Sequence, residues 1–218
     1  VKSLFIEGNY NKYDRTVPQT RWPCKSCKGY GCKRCNNTGQ LYPDSVQSLI
    51  AKPFAKETSC SEDLFHGMGR EDIDAAMLGS GRPFVLELRM PRKREIDLVQ
   101  MGKEINEENE GRIGVNNLKL VDRKRVAELK NTVCDKTYRV DVSIRDRIPI
   151  ESLKKASQRL TGTVIEQRTP TRVSHRRADL IRPRLINEVE VTSLQEDMAE
   201  LVIKAQHGTY IRELVSGD

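Results

Sequence analysis

Four cysteines lie within twelve residues near the start of the chain, and their spacing constrains the local fold more than any other sequence feature. The pattern is Cys24-x2-Cys27-x4-Cys32-x2-Cys35. Glycines follow the cysteine pairs, and glycine readily adopts the positive φ angles of tight turns. Two such pairs supply four thiolates, the ligand set of a closed structural zinc site. We therefore expect residues 24–35 to wrap around zinc, with an iron–sulfur cluster or a metal-free loop as the alternatives.

Basic side chains lie beside these cysteines. They would offset the negative charge of four thiolates, and they could also contact phosphate. They are Lys25, Lys28, Lys33 and Arg34. The other two cysteines, Cys60 and Cys134, have no cysteine near them in the sequence, and we interpret them as buried or incidental thiols.

A second unusual stretch, residues 65–84, combines four glycines with three acidic residues and two arginines. Flanking glycines let a backbone approach a ligand closely, so we expect a shaped loop with one short helix over residues 71–78. Gly69-Arg70-Glu71-Asp72 lies at its centre. An arginine near Asp72 can keep that carboxylate ionised, and an ionised carboxylate can act as a nucleophile or base. An ordinary ion pair between Arg70 and Asp72 is the alternative.

Hydrophobic periodicity predicts mixed helices and strands after residue 44. Helices are predicted over residues 45–56, 95–106, 123–130 and 150–160, and strands over residues 84–90, 115–121, 137–144, 162–167, 185–192 and 198–205. Ser45 is a plausible N-cap of the first helix, and the last two strands are expected to pair. Residues 137–144 alternate between apolar and polar side chains, which is typical of a strand with one buried face. Tyr138 lies at the start of this strand, where its ring could belong to the core or form an aromatic platform. We expect an irregular segment, 1–44, followed by an α+β domain, 45–218.

The net charge of +7 fits an anionic partner such as nucleic acid. The most one-sided region is residues 168–184, the arginine segment, which holds six arginines and one acidic residue. Its two prolines favour an extended segment along a phosphate backbone, and a solvated surface is the alternative. The sequence has no run of about 18 apolar residues and no signal-peptide pattern, so we expect a soluble, cytoplasmic protein.

Three separated motifs resemble those of pseudouridine synthases. Gly69-Arg70-Glu71-Asp72 is similar to the family's Gly-Arg-x-Asp signature, and Lys136-Thr137-Tyr138 resembles its Lys-x-Tyr segment. Residues 208–214 resemble the Gly-Thr-Tyr-Ile-Arg segment of bacterial tRNA pseudouridine-55 synthases. The strongest likeness is to the archaeal and eukaryotic enzymes that act on uridines 54 and 55 of the tRNA T-loop. It also includes residues 9–13, 18–20, 79–84, 169–173 and 175–177.

The resemblance implies that Asp72 is the catalytic aspartate and that Arg70 helps to hold the flipped nucleotide. Glu71 and Asp74 are alternative acids, but only Asp72 occupies the family's position. The residues implied to surround the substrate are Arg70, Tyr138, Tyr210, Arg212 and Leu214. Arg212 would pair with the catalytic aspartate, and an ion pair with Glu213 or Glu200 is the alternative. The residues expected to contact RNA phosphates are Arg172, His175, Arg176 and Arg177.

The implied fold is α+β, a mixed and largely antiparallel sheet flanked by helices, with a small N-terminal zinc knuckle. The implied activity converts uridine to pseudouridine at positions 54 and 55 of tRNA, without a catalytic cofactor, in a protein expected to be monomeric. A non-catalytic, basic RNA-binding module with structural zinc is the alternative. A zinc-dependent enzyme has less support, because no histidine or carboxylate accompanies the cysteine set. We also expect the chain to be a fragment, truncated at its C-terminal end.

Overall fold

The structure is a computed structural model that describes residues 2–145 and 148–217, while the side chains of residues 175 and 176 lie outside the described part. Two compact units divide the chain, Val1–Thr132 and Val133–Asp218. The predicted α+β class is confirmed, although the strands form two four-stranded sheets where one was expected. All strand pairings among the described residues are antiparallel. The division predicted at residue 44 stays a prediction about domain organisation.

In the first unit, residues 2–132 form four strands and three α-helices. The strands are β1 (Leu4–Lys12), β2 (Glu62–Gly67), β3 (Met77–Arg89) and β4 (Ile113–Val121). The helices are α1 (Val46–Thr58), α2 (Leu98–Glu108) and α3 (Lys124–Asn131). The sheet order is β2-β3-β1-β4. Residues 4–12, expected to be irregular, therefore form a strand between two others, and nearly all of their side chains are buried.

Local sequence signals explain how several of these elements begin and pack. The Ser45 hydroxyl accepts a hydrogen bond from the backbone N–H of Ser48 (3.0 Å), which confirms the predicted N-cap of α1. Phe54 and Phe84 are fully buried, and the Phe84 ring stacks on Phe65 with 5.1 Å between ring centroids. Gly81 has φ 78°, and a Cβ there would lie 2.7 Å from the Tyr10 carbonyl oxygen. Glycine thus allows β3 to approach β1 closely.

The described residues of the second unit form four strands and two α-helices. The strands are β5 (Lys136–Ser143), β6 (Thr163–Arg168), β7 (Ile181–Gln195) and β8 (Met198–Ala205). The helices are α4 (Ile150–Leu160) and α5 (Ile211–Ser216). The sheet order is β5-β8-β7-β6, so the predicted pairing of residues 185–192 with 198–205 is confirmed. Helix α4 packs against β7, and the core of this unit centres on Ile186 and Ile203.

Among the described residues, no helix has the length and apolar character needed to cross a bilayer.

Candidate active site

Gly69-Arg70-Glu71-Asp72 lies in the signature loop, residues 68–76, which joins β2 to β3. The loop is tied to β3 by a hydrogen bond from the Met68 backbone N–H to the Pro83 carbonyl (3.0 Å). A second bond, from the Ala75 N–H to the Asp72 carbonyl (3.1 Å), closes a turn directly after Glu71. The predicted helix over residues 71–78 is wrong, because residues 71–76 form this irregular turn and β3 begins at residue 77.

Glu71 anchors the signature loop to the sheet. Its side chain is only 3% exposed, and its carboxylate accepts hydrogen bonds from the Tyr10 hydroxyl at 2.8 and 2.9 Å. The Arg82 Nε lies 3.1 Å from the same carboxylate, and the Gln19 amide donates to it (3.3 Å) and to the Gly69 carbonyl (2.9 Å). A buried carboxylate needs a paired charge and hydrogen bonds, which these partners supply. Burial, and then the Glu71 charge, raise the pKa of Tyr10, so its hydroxyl stays a donor.

Lys12 fixes the backbone on the other side of Glu71. Its side chain is fully buried, although lysine is rarely buried without partners. The ammonium donates to the Val17 carbonyl (3.0 Å), the Ile73 carbonyl (2.6 Å) and the Asp72 carbonyl (3.5 Å). Burial lowers the pKa of Lys12, and the charges of nearby acidic residues oppose that shift. The backbone at Asp72 is therefore held from the core side by a buried cation.

Arg70 and Asp72 flank the anchored Glu71 and differ from it in exposure. Arg70 is exposed, and its guanidinium carbon lies 4.9 Å from the centre of the Trp22 ring, within cation–π range. Asp72 is half-buried and Asp74 is exposed. The loop thus turns Glu71 inward, where its oxygens are engaged, and leaves Asp72 partly accessible. This difference argues against Glu71 as the reactive acid, while the roles of Arg70 and Asp72 stay predictions.

Tyr138 lies in the second unit, on the edge strand β5. The alternation predicted for this strand is confirmed, since Tyr138, Val140 and Val142 are half-buried and the residues between them are exposed. Val140 and Val142 pack against the core of the unit, and Tyr138 pairs in register with Ile203. Tyr138 therefore faces the same side of the sheet as two core residues, and its role as an aromatic platform stays a prediction.

Tyr210, Arg212 and Leu214 lie at the start of α5 and within it. The buried Gln167 side chain holds the Tyr210 backbone at two points, donating to its carbonyl (3.0 Å) and accepting from its N–H (2.9 Å). Leu214 packs against the core of the second unit, whereas Arg212 is exposed. The contacts of Gln167 and Leu214 dock α5 onto the sheet. The substrate-binding roles of the three α5 residues stay predictions.

Glu213 joins α5 to the arginine segment. The Arg172 Nε donates to the Glu213 carboxylate at 2.6 Å. Burial raises the pKa of Glu213, but the Arg172 hydrogen bond and the charges of Arg172 and Arg212 lower it to below its usual value. Arg172, which was expected to contact RNA, thus has an acidic partner within the protein. The Arg212 charge also lowers the pKa of Glu213. This effect is in the direction of the alternative in which Arg212 forms an ion pair with Glu213.

The arginine segment is less extended and less one-sided than expected. Residues Thr171–Arg176 form a 3-10 helix, because Val173 is buried and Arg172 is drawn to Glu213. Arg168 lies 2.6 Å from Asp179, so the one acidic residue of the segment is paired. Arg177 is exposed. The side chains of His175 and Arg176, both predicted to contact RNA, lie outside the described residues.

The four clustered cysteines are brought together as predicted, with their sulfur atoms within 4.8 Å of one another. The Cys35 sulfur lies 3.8 Å from that of Cys27 and 3.7 Å from that of Cys32. Tetrahedral zinc with Zn–S bonds of about 2.3 Å places its sulfur ligands about 3.8 Å apart. Backbone N–H groups of Gly31 and Gly39 donate to the sulfurs of Cys27 and Cys35. The group could therefore bind a metal ion.

The pKa of Cys35 fits a metal-ligating thiol. Burial raises this pKa, but backbone N–H groups of Cys32 and Gly39 outweigh burial and lower it to about 6. The thiolate is the form that binds metal, so the backbone around Cys35 favours the ligating state.

The sequence did not predict the buried network beneath the signature loop. Its members beyond Glu71 are Tyr10, Lys12, Gln19 and Arg82. One usable signal was that residues 9–13 and 18–20 resemble the family, although no role was assigned to them. Tyr10 and Lys12 are two positions apart in β1 and therefore face the same side of the sheet. The signature loop and cysteines belong to the first unit and the other predicted substrate-contacting residues to the second, so their convergence in one cleft stays a prediction.

A family model described as Pus10, C-terminal, matches residues 5–218. The tRNA pseudouridine synthase Pus10 of Methanocaldococcus jannaschii is 48% identical over 218 residues, which cover 100% of this chain and 48% of that protein. The protein of the same name from Methanothrix thermoacetophila is 46% identical, with 100% and 48% covered. That from Archaeoglobus fulgidus is 43% identical, with 100% and 60% covered. The chain spans about half the length of the curated relatives it matches.

A solved structure also resembles this chain. The crystal structure of a Cbf5-Nop10-Gar1 complex contains a chain that matches with a TM-score of 0.52 and 14% sequence identity. The match covers 96% of this chain and 42% of that one. At this level of identity, the likeness shows a shared fold alone.

Proposed function

The chain belongs to the Pus10 C-terminal family, and on that premise we propose that it is the catalytic part of a tRNA pseudouridine synthase that modifies T-loop uridines 54 and 55. Relatives named tRNA pseudouridine synthase Pus10 support the proposal, because each matches the whole chain at 43–48% identity. The structural observation that carries it is the anchored signature loop. Buried partners hold Glu71, and the next residue, Asp72, stays partly accessible.

The proposed reaction needs few protein groups. The bond between ribose C1′ and N1 of uracil breaks, a bond forms between C1′ and C5, and the proton lost from C5 is balanced by one gained at N1. No atom is added and no redox step occurs, so no catalytic cofactor is needed. One ionised carboxylate can attack or deprotonate the nucleotide, and we assign this role to Asp72. Arg70 helps to hold the nucleotide beside it.

The target base must leave its stack before it reaches Asp72. A pocket for such a base needs an aromatic face and groups that fix its orientation. We propose that Tyr138 supplies the face, that Tyr210 and Leu214 line the pocket, and that Arg212 pairs with the catalytic carboxylate. The contacts of Gln167 with Tyr210 support this assignment, because they hold the start of α5 in one orientation.

The arginine segment is the proposed contact for the tRNA backbone. Arginine binds phosphate oxygens through a planar, multidentate guanidinium, and such contacts fix the position of an RNA rather than reading its sequence. We assign this role to Arg172, His175, Arg176 and Arg177. Arg172 would exchange its partly buried ion pair with Glu213 for a phosphate.

Zinc is the metal we propose for the cysteine group. Four thiolates leave no position open for substrate, so the metal would stabilise residues 24–35 without taking part in the reaction. The catalytic domain would consist of residues 45–218 together with strand β1, which lies inside the first sheet. The protein would act as a monomer in the cytoplasm.

Incubation of the protein with an unmodified tRNA transcript, followed by mapping of pseudouridine, tests the proposal. We expect product at positions 54 and 55 with the wild type and none with Asp72→Ala, which should fold and bind tRNA as the wild type does. Asp74→Ala, two residues away in the same loop, is the matched control and should remain active. Product formation by Asp72→Ala would remove the assignment. Binding without product by the wild type would favour a non-catalytic RNA-binding module.

A further inference from the structure

We propose that the knuckle, residues 22–42, is an RNA-contacting surface in which the Tyr30 ring stacks on a base and neighbouring lysines contact phosphate. The proposal rests on the proposed function, because it takes the tRNA substrate as the ligand of this surface. It adds a binding site in the first unit to the arginine segment of the second.

Tyr30 has the geometry of a stacking platform. Its side chain is 95% exposed, so the ring has almost no packing role within the protein. The backbone that carries it is nevertheless ordered, since the Tyr30 N–H donates to the Cys27 carbonyl (3.0 Å). Gly29 and Gly31 on either side adopt φ of 105° and 90°, which glycine does without strain. An aromatic ring presented on a fixed turn is the feature on which unpaired RNA bases stack.

The charge of the knuckle matches the RNA backbone. Residues 15–43 contain no aspartate or glutamate, while Lys25, Lys28, Lys33 and Arg34 are all exposed. A zinc ion bound by four thiolates carries two negative charges, so these four cations leave the metal-loaded knuckle positive. Lysines beside an exposed aromatic ring give the combination found in single-strand nucleic-acid sites, in which a cationic track accompanies stacking.

The base of the knuckle contacts the signature loop. The Leu41 N–H donates to the Trp22 carbonyl (2.8 Å), which joins the two ends of the knuckle. The Trp22 ring packs edge-on against Tyr42, with 5.7 Å between centroids, and lies under the Arg70 guanidinium. RNA bound by the knuckle would therefore be held by the unit that also carries Asp72. The contact between Trp22 and Arg70 would join this RNA-binding surface to the signature loop.

Substitution of Tyr30 tests the stacking contact. We expect Tyr30→Ala to weaken binding of an unmodified tRNA transcript by roughly 5- to 150-fold, the range for loss of one base–aromatic stack, as measured by fluorescence anisotropy. Tyr30→Phe keeps the ring and should bind as the wild type does. Both variants should retain the wild-type thermal unfolding and metal content, because the ring is exposed. Val99→Ala, which removes an 85% exposed apolar side chain from α2, is the control and should not change affinity.

Removal of charge tests the phosphate contacts. Lys28→Ala combined with Lys33→Ala should lower the slope of log affinity against log salt concentration by about two, about one for each lysine. Lys52→Ala combined with Lys103→Ala makes the same change of charge on α1 and α2 and should leave the slope unaltered. Equal slopes and affinities for the two double variants, together with unchanged binding by Tyr30→Ala, would overturn the proposal.

Product mapping on the same samples separates this proposal from the proposed function. If the wild type forms pseudouridine and Tyr30→Ala binds and reacts like it, the knuckle proposal fails and the isomerase stands. If no protein forms product but Tyr30→Ala still loses affinity, the isomerase fails and the RNA-contacting knuckle stands. If the wild type forms product and Tyr30→Ala shows weaker binding with a near-normal rate at saturating protein, both are supported.

Discussion

The signature loop and the arginine segment both carry several charges, but they hold those charges in opposite ways. Glu71 of the loop pairs with Arg82 of β3, and the two side chains are 3% and 6% exposed. In the segment, the paired side chains of Arg168 and Asp179 are 74% and 51% exposed. Breaking a buried pair leaves an uncompensated charge and costs much, whereas an exposed pair is worth little. The first arrangement suits positioning of a reactive group, and the second suits exchange of a protein partner for phosphate.

The largest effect on stability is expected from Arg82. Arg82→Met leaves the buried Glu71 carboxylate without its counter-ion and removes the hydrogen bond to the Met68 carbonyl (2.7 Å). We expect a loss of about 3–5 kcal/mol in the free energy of unfolding, measured with urea. Arg168→Met breaks an exposed pair and should leave the free energy of unfolding close to that of the wild type. Similar losses for the two variants would erase the contrast between the two regions.

The next effect, on metal content and product formation, is expected from substitution of the clustered cysteines. The knuckle that holds them contacts the signature loop, because Trp22 at its base lies against Arg70. Cys27→Ser combined with Cys35→Ser should reduce the zinc content from about one ion per chain to none, since both thiolates would be ligands of the proposed zinc. Cys60→Ser combined with Cys134→Ser is the matched control and should retain the metal. Metal analysis of purified protein makes the measurement, and an unchanged zinc content in the first variant would contradict the assignment. Product formation should also fall in that variant, while binding through the arginine segment persists.

The same contrast explains which parts of the molecule could be predicted from sequence. The limits of α4, the N-cap at Ser45 and the pairing of β7 with β8 depend on local periodicity and capping, and all were predicted. The predicted helix at 71–78 fails because Glu71 is drawn inward by Tyr10 and Arg82, partners that no local pattern includes.

The arginine segment shows the same limit. Its extended form was predicted from prolines and charge, but Arg172 pairs with Glu213, which lies 41 residues further along the chain. Lys12 was missed because lysine is rarely buried, and no local pattern shows that the carbonyls of residues 17, 72 and 73 bind its ammonium.

A smaller effect, confined to RNA binding, is expected from the arginine segment. Arg176→Ala combined with Arg177→Ala should weaken tRNA binding several-fold at moderate salt and lower the slope against log salt concentration by about two. The free energy of unfolding should remain that of the wild type. Arg89→Ala combined with Arg94→Ala removes the same charge from the first unit and serves as the control. Unchanged affinity and slope in the segment variant would show that these arginines are only a solvated surface.

The smallest effect is expected at Glu7. Its side chain is 9% exposed, close to the 3% of Glu71, although that of its partner Arg125 is 35% exposed. The Arg125 hydrogen bond lowers the pKa of Glu7 below its usual value, against the effect of burial. The stability contributed by this shift is present above pH 4.5 and is lost as the pH falls through the folded-state pKa. Arg125→Met should therefore cost less than about 1 kcal/mol at pH 7 and still less at pH 3. Urea unfolding at the two pH values makes the measurement, and an equal cost at both would contradict the role of Glu7.

A comparison of Glu71→Gln with Asp72→Asn tests most directly whether the buried residue positions the loop and its neighbour performs the reaction. The free energy of unfolding and the single-turnover rate of pseudouridine formation would be measured for both variants. We predict that Asp72→Asn keeps the wild-type stability and tRNA affinity but forms no product. Glu71→Gln should lose stability while retaining some product formation. Product from Asp72→Asn, or a fully stable Glu71→Gln that forms none, would contradict the account.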